Sequence, residues 1–143
     1  MRKLMFPLLC GIIFILGSCS DKSKFIKDAI DQEADYYTEF YNLASKGDCA
    51  GAILVADKIA ALDAEMEKTV SGDEAMNQEY EKLRGYIDDK MSVKSVSMGY
   101  KMYRLYRHML DTQSGVKEFS FRDDGKEIEW KSAHGAPLSI RIE

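Results

Sequence analysis

Apolar side chains recur three, four and seven residues apart from Phe25 to about Leu110, then at every second position from Phe119 to Ile142. A period near 3.6 belongs to an amphipathic helix and a period of 2 to a half-buried strand, so the change divides the chain into a helical part and a sheet. In the first helix, expected from about Lys24 to Lys46, Ile26, Ile30, Tyr37, Phe40, Tyr41 and Ala44 form the apolar stripe. Asp21 or Ser23 is available as its N-cap. Gly47 provides a left-handed exit and Asp48 the next cap, so a second helix, about Cys49 to Val70, folds back antiparallel through a link of about two residues. Its stripe is Ile53, Ala56, Ile59, Ala60, Met66 and Val70. Ser71 and Glu74 have capping-box spacing and open a third helical region reaching about Leu110. Met76, Tyr80, Leu83 and Ile87 make one stripe there, and Val96, Tyr100, Tyr103, Tyr106 and Leu110 a second. Between them, Met91 to Ser97 is poor in strong helix formers, so a break or bend is expected near Ser92 to Ser97.

After Gly115, Phe119 and Phe121 share a face, as do Ile128 and Trp130, then Leu138, Ile140 and Ile142. Asp123-Asp124-Gly125-Lys126 is a turn with Gly where positive φ is useful, and His134 to Pro137 links to a third strand. A sheet with one apolar and one charged face must be covered by helices. The fold class expected is therefore α+β: three or four helices over about residues 25–110, followed by a three-stranded antiparallel sheet over about 116–142, in one domain spanning 25–143.

The apolar run Leu4 to Leu16 follows Arg2 and Lys3 and holds 13 residues. A membrane-spanning helix needs ~20, whereas a signal peptide needs fewer. The run closes on Leu16-Gly17-Ser18-Cys19, which resembles the lipobox of bacterial lipoproteins. That resemblance covers about the first twenty residues and implies a signal peptide at residues 1–18, removed before Cys19, whose sulfur takes a diacylglycerol. It further implies a cell-envelope location, and Ser20 after the Cys favours the outer membrane with the protein facing the periplasm; surface exposure stays open. Residues 19–24 are then the lipidated Cys and a short tether, and five extended residues reach only about 17 Å, so the domain sits near the lipid surface.

Charge narrows the partners. Arg2 and Lys3 belong to the leader, so the remaining 18 basic and 24 acidic residues leave a net charge of −6. A general nucleic-acid binder would carry a basic excess. Cys10 lies in the leader and Cys19 in the lipobox, so Cys49 alone remains, too few for an internal disulfide; beside Ala50 and Ala52 it reads as a small buried hydrophobe.

Little in the chain points to chemistry. His108 and His134 lie on different elements without a carboxylate or Cys at ligand spacing, and no phosphate loop or nucleophile elbow is present. No metal, no cofactor and no catalytic residue is expected. Between Lys90 and Leu110 five basic residues occur without an acidic one, and Lys94, Lys101, Arg104 and His108 have helical spacing with Tyr100, Tyr103 and Tyr106 interleaved. Lys94, Lys101 and Arg104 suit an anionic head group, a polyanionic glycan or an acidic partner. The competing expectation is neutralisation by residues 21–89, which carry 17 acidic and 8 basic side chains. The stretch Tyr36 to Asp63 resembles a tetratricopeptide helical hairpin, with Gly47-Asp48 before Ala52-Ile53. It departs at Glu39 and Phe40, and no second copy follows at a 34-residue period, so what it implies is helix packing. The function expected is that of a membrane-anchored envelope lipoprotein, not an enzyme, acting by contacts with another envelope component. The alternative is a small-ligand module with a pocket between helices and sheet lined by Tyr37, Phe40, Tyr41 and Trp130. In that arrangement alone it resembles nuclear transport factor 2-like lipoproteins, though three short strands are too few for their cone.

Overall fold

The structure, a computed structural model, describes residues 19–142, with side chains from 23 onward. Five helices precede one sheet: α1 (Cys19–Ser45), α2 (Cys49–Val70), α3 (Glu74–Lys82), α4 (Arg84–Met91) and α5 (Lys94–Thr112), then β1 (Phe119–Arg122), β2 (Glu127–Lys131) and β3 (Pro137–Arg141). The α+β class and the order of helices before a three-stranded antiparallel sheet are as the periodicity indicates.

The departures lie at helix ends. α1 is helical from Cys19, so residues 20–24 are not an extended tether, and neither Asp21 nor Ser23 caps it. Ser23 instead donates from its hydroxyl to Glu79 on α3, at 3.2 Å. Asp48 caps α2 as expected, accepting from the Gly51 amide at 2.9 Å. Ser71 does not cap α3: it closes α2, and Asp73 accepts from the Met76 amide at 3.2 Å. The expected break between α4 and α5 falls at Ser92 and Val93. A second break, unforeseen, interrupts the preceding stripe at Leu83, whose amide bonds back to both Glu79 and Tyr80 carbonyls in a tightened turn.

Helices α1 and α2 form the antiparallel hairpin, and α5 lies along the far half of α1, running parallel to it. Tyr37 meets Tyr100 and Tyr103, and Phe40 meets Tyr103 and Tyr106. Their approach is set by Gly99: a Cβ there would stand 1.9 Å from the Tyr37 carbonyl oxygen. The main core joins Ala34, Tyr37 and Phe40 of α1 to Val55, Ala56 and Ile59 of α2, Leu105 and Met109 of α5, and Phe119, Ile128 and Trp130 of the sheet. A smaller cluster, Ile26, Ile30 and Met76, closes the other end under α3 and α4.

Register in the sheet puts Phe119 opposite Trp130 and Phe121 opposite Ile128, and Ile128 opposite Ile140, so one face is apolar throughout. The other face carries charge, with Arg122–Glu129 at 3.0 Å and Arg141–Glu127 at 3.8 Å. In the β1–β2 turn, Asp123, Asp124 and Gly125 all have positive φ. Asp tolerates that region, but Gly125 is also buried, and a Cβ there would meet Met102 at 2.8 Å.

Candidate functional site

The basic stripe exists as an exposed surface. Lys94, Lys101, Arg104, Arg107 and His108 are all exposed along α5, opposite the side that buries Met102, Leu105, Tyr106 and Met109. Neutralisation by the acidic helices, expected from composition, does not occur by pairing. Among the described residues none of Lys94, Lys101 or Arg104 forms an ion pair; Arg104 lies over the Tyr100 ring at 5.7 Å. The acids of α1 find other partners or face solvent, Asp31 binding Lys90 at 2.9 Å and the Tyr86 hydroxyl. Those two bonds, Tyr86 first, hold the Asp31 carboxyl below its ordinary range.

The four aromatic residues expected to line a pocket under the sheet do not line one there. Phe40 and Trp130 are packed into the main core, and the Trp130 indole N–H donates to the Gln113 side-chain oxygen at 3.1 Å. Tyr41 packs against the outside of that core. Tyr37 does line a cavity, and that cavity lies among helices, away from the sheet.

The cavity has a volume of about 260 Å³ and lies between α1, α3, α4 and α5. Ile30, Ala34, Ile87, Met91 and Val96 give it apolar walls, Tyr37, Tyr80 and Tyr100 aromatic ones, and Glu33 and Lys90 are its ionisable groups. Glu33 is the residue that sequence reasoning missed. It sits one turn before Tyr37 on α1, and the Tyr37 hydroxyl donates to Glu33 Oε1 at 2.5 Å. Across the hairpin, Asp63 of α2 brings a second carboxyl within hydrogen-bonding reach of the first. Burial, with Asp63 adding to it against the Tyr37 bond, pushes the Glu33 carboxyl up to about 7. Burial likewise raises Asp63, against the pull of Glu33's hydrogen bond and the Arg107 charge. Both shifts favour the protonated form, and burial is the first cause of each. The surrounding phenols stay protonated: burial raises Tyr37 far above its ordinary value, Tyr80 less so, and Tyr103 to about 12.

Cys49 is half-buried, and its thiol donates to the Phe119 carbonyl at 3.1 Å, tying α2 to β1. His108 and His134 are both exposed, and among the described residues no group of three His, Cys, Asp or Glu side chains could hold a metal ion. No described helix is long and apolar enough to cross a membrane. Leu16, Gly17 and Ser18 lie outside the described residues, as does the side chain of Cys19. Comparison with protein-family models, curated proteins and solved structures gives no match.

Proposed function

We infer that this chain is a lipid-anchored envelope protein without catalytic activity of its own, held at the outer membrane through Cys19 and acting by contact with another envelope component. The observation that carries this reading is Leu16-Gly17-Ser18-Cys19 at the end of a 13-residue apolar run behind Arg2 and Lys3. A second observation sharpens it: Cys19–Ser45 is helical throughout, so no extended linker follows Cys19 before the folded body. The unpaired Lys94, Lys101 and Arg104 provide an anion-seeking face, and an acidic partner is the component that fits it best.

The anchor is tested by Cys19→Ser in cells that process lipoproteins. The variant is expected to keep its leader, to lose lipid labelling, and to leave the detergent phase that retains the lipidated protein. Unchanged processing and unchanged membrane association in the variant would show that Cys19 is not the anchor.

A further inference from the structure

We propose that the cavity between α1, α3, α4 and α5 binds a small organic cation, an amine on an apolar or aromatic body, with Glu33 as its counter-ion. The inference is independent of the anchor. It starts from the charges that face the cavity. Lys90 is balanced, since its ammonium pairs with Asp31 at 2.9 Å and lies over the Tyr86 ring at 5.1 Å. Among the described residues Glu33 forms no ion pair: its partners are the Tyr37 hydroxyl and a second carboxyl, Asp63, and it is Asp63 on which the Arg107 charge of α5 acts. An anionic ligand would meet the Glu33 carboxyl, and a purely apolar one would leave it unused. A cation satisfies it and also finds aromatic faces, since Tyr37 and Tyr100 stand edge to face at 5.4 Å with Tyr80 on the adjoining wall. A volume of about 260 Å³ limits the occupant to a small molecule, below the ~300–1,000 Å³ typical of drug-sized sites.

Binding is linked to a proton. The groups facing the pair are Tyr37 on α1, Tyr80 on α3, Lys90 at the cavity wall from α4, and Tyr103 and Arg107 on α5. None of the phenols ionises near neutrality, so Glu33, pushed up to about 7 by burial, is the group that titrates there. An incoming ammonium takes the place of the proton on Glu33, and that proton leaves to solvent. Affinity therefore rises with pH through about 7.

The test is calorimetric titration of the purified full chain with 2-phenylethylamine and with its uncharged analogue 2-phenylethanol. The amine is expected to bind at least tenfold tighter than the alcohol at pH 8, and about tenfold tighter at pH 8 than at pH 6. At pH 6 its heat should vary with the buffer's ionisation enthalpy as release of about one proton requires, and at pH 8 hardly at all. Glu33→Gln, which can still accept from Tyr37, should bring the amine down to the alcohol. Equal affinity of amine and alcohol, no amine binding, or an affinity indifferent to pH would each overturn the proposal. Should Glu33→Gln fail to fold, the comparison in the unaltered chain decides alone. Cys19→Ser should leave the titration unchanged, so loss of the anchor and failure of the cavity are read separately.

Discussion

Glu33 and Asp63 are thirty residues apart on different helices, and only the packing of α1 on α2 joins them. The local half of the arrangement was visible, because Glu33 and Tyr37 are four apart and therefore share a helix face. The cross-helix half was not: adjacent carboxylates such as Asp88-Asp89 stand out in a sequence, and separated ones do not. The pair has a consequence for stability with a definite sign. Glu33 titrates near its ordinary 4.5 when unfolded and near 7 when folded, so the folded state binds the proton more tightly. Its stabilisation is full below about 4.5 and is lost as pH rises through about 7, a loss of at most about 3 kcal/mol at ~1.4 kcal/mol per unit. Asp63, raised by burial, acts in the same direction. Asp31 acts oppositely, but only as pH falls into the range below its ordinary 3.8. The chain is thus expected to resist urea better at pH 5 than at pH 8, and Glu33→Gln should remove most of that difference. A variant with the same pH profile as the parent would show that another group sets it.

At the level of elements, periodicity was a sufficient guide wherever an apolar stripe met the core. The bounds Cys49–Val70 and the alternation through Phe119, Phe121, Ile128 and Trp130 illustrate this. It was a poor guide where a single hydrogen bond decides the outcome, as at Leu83 or in the choice of Asp73 over Ser71 as a cap. Gly99 is a third kind of case. An isolated glycine in a helix usually marks a packing constraint, but only the structure names its partner as the Tyr37 carbonyl. Gly99→Ala should cost ~1–3 kcal/mol or more, since a backbone carbonyl cannot move aside as a side chain can. Gly85→Ala in α4, with nothing within 4 Å of the added Cβ, should be neutral or stabilising. Parallel melts of the two variants check this, and similar shifts would mean that α1 and α5 are less closely apposed. The sheet supports an analogous contrast. Trp130 is 3% exposed and donates its N–H to Gln113, so Trp130→Ala should cost ~3–5 kcal/mol. Glu129, one residue away, makes only the exposed pair with Arg122, and Glu129→Ala should stay within about 1 kcal/mol. Equal small losses would place the strands outside the cooperative core.

The molecule as a whole determines what the basic stripe can reach. Thr38 of α1 and Ser95 of α5 touch at 3.3 Å, which sets Lys94 level with the far half of α1. At 1.5 Å per residue that level lies about 28 Å from Cys19, and Arg104 lies about 15 Å further along the same direction. Screening confines the field of a charged bilayer to ~8–10 Å at physiological salt. On the proposed anchor at Cys19, an upright α1 would hold the stripe clear of the head groups, and only a domain lying flat would bring it down. Lying flat also brings a body of net charge −6 against an anionic surface, although each Lys or Arg in contact would return about 1 kcal/mol. Three cations against that excess of acid do not favour the flat posture. The lipidated chain, reconstituted with a fluorophore at Ser97 in the middle of the stripe, is accordingly expected to show no quenching by head-group quenchers. Raising the anionic lipid content should not change that result. Reversing Lys94, Lys101 and Arg104 together to Glu should likewise leave vesicle association unaltered, while removing contacts crosslinked from position 97 in intact cells. Quenching that grows with anionic lipid, fades toward 1 M salt and disappears on charge reversal would instead make the bilayer the partner of this face.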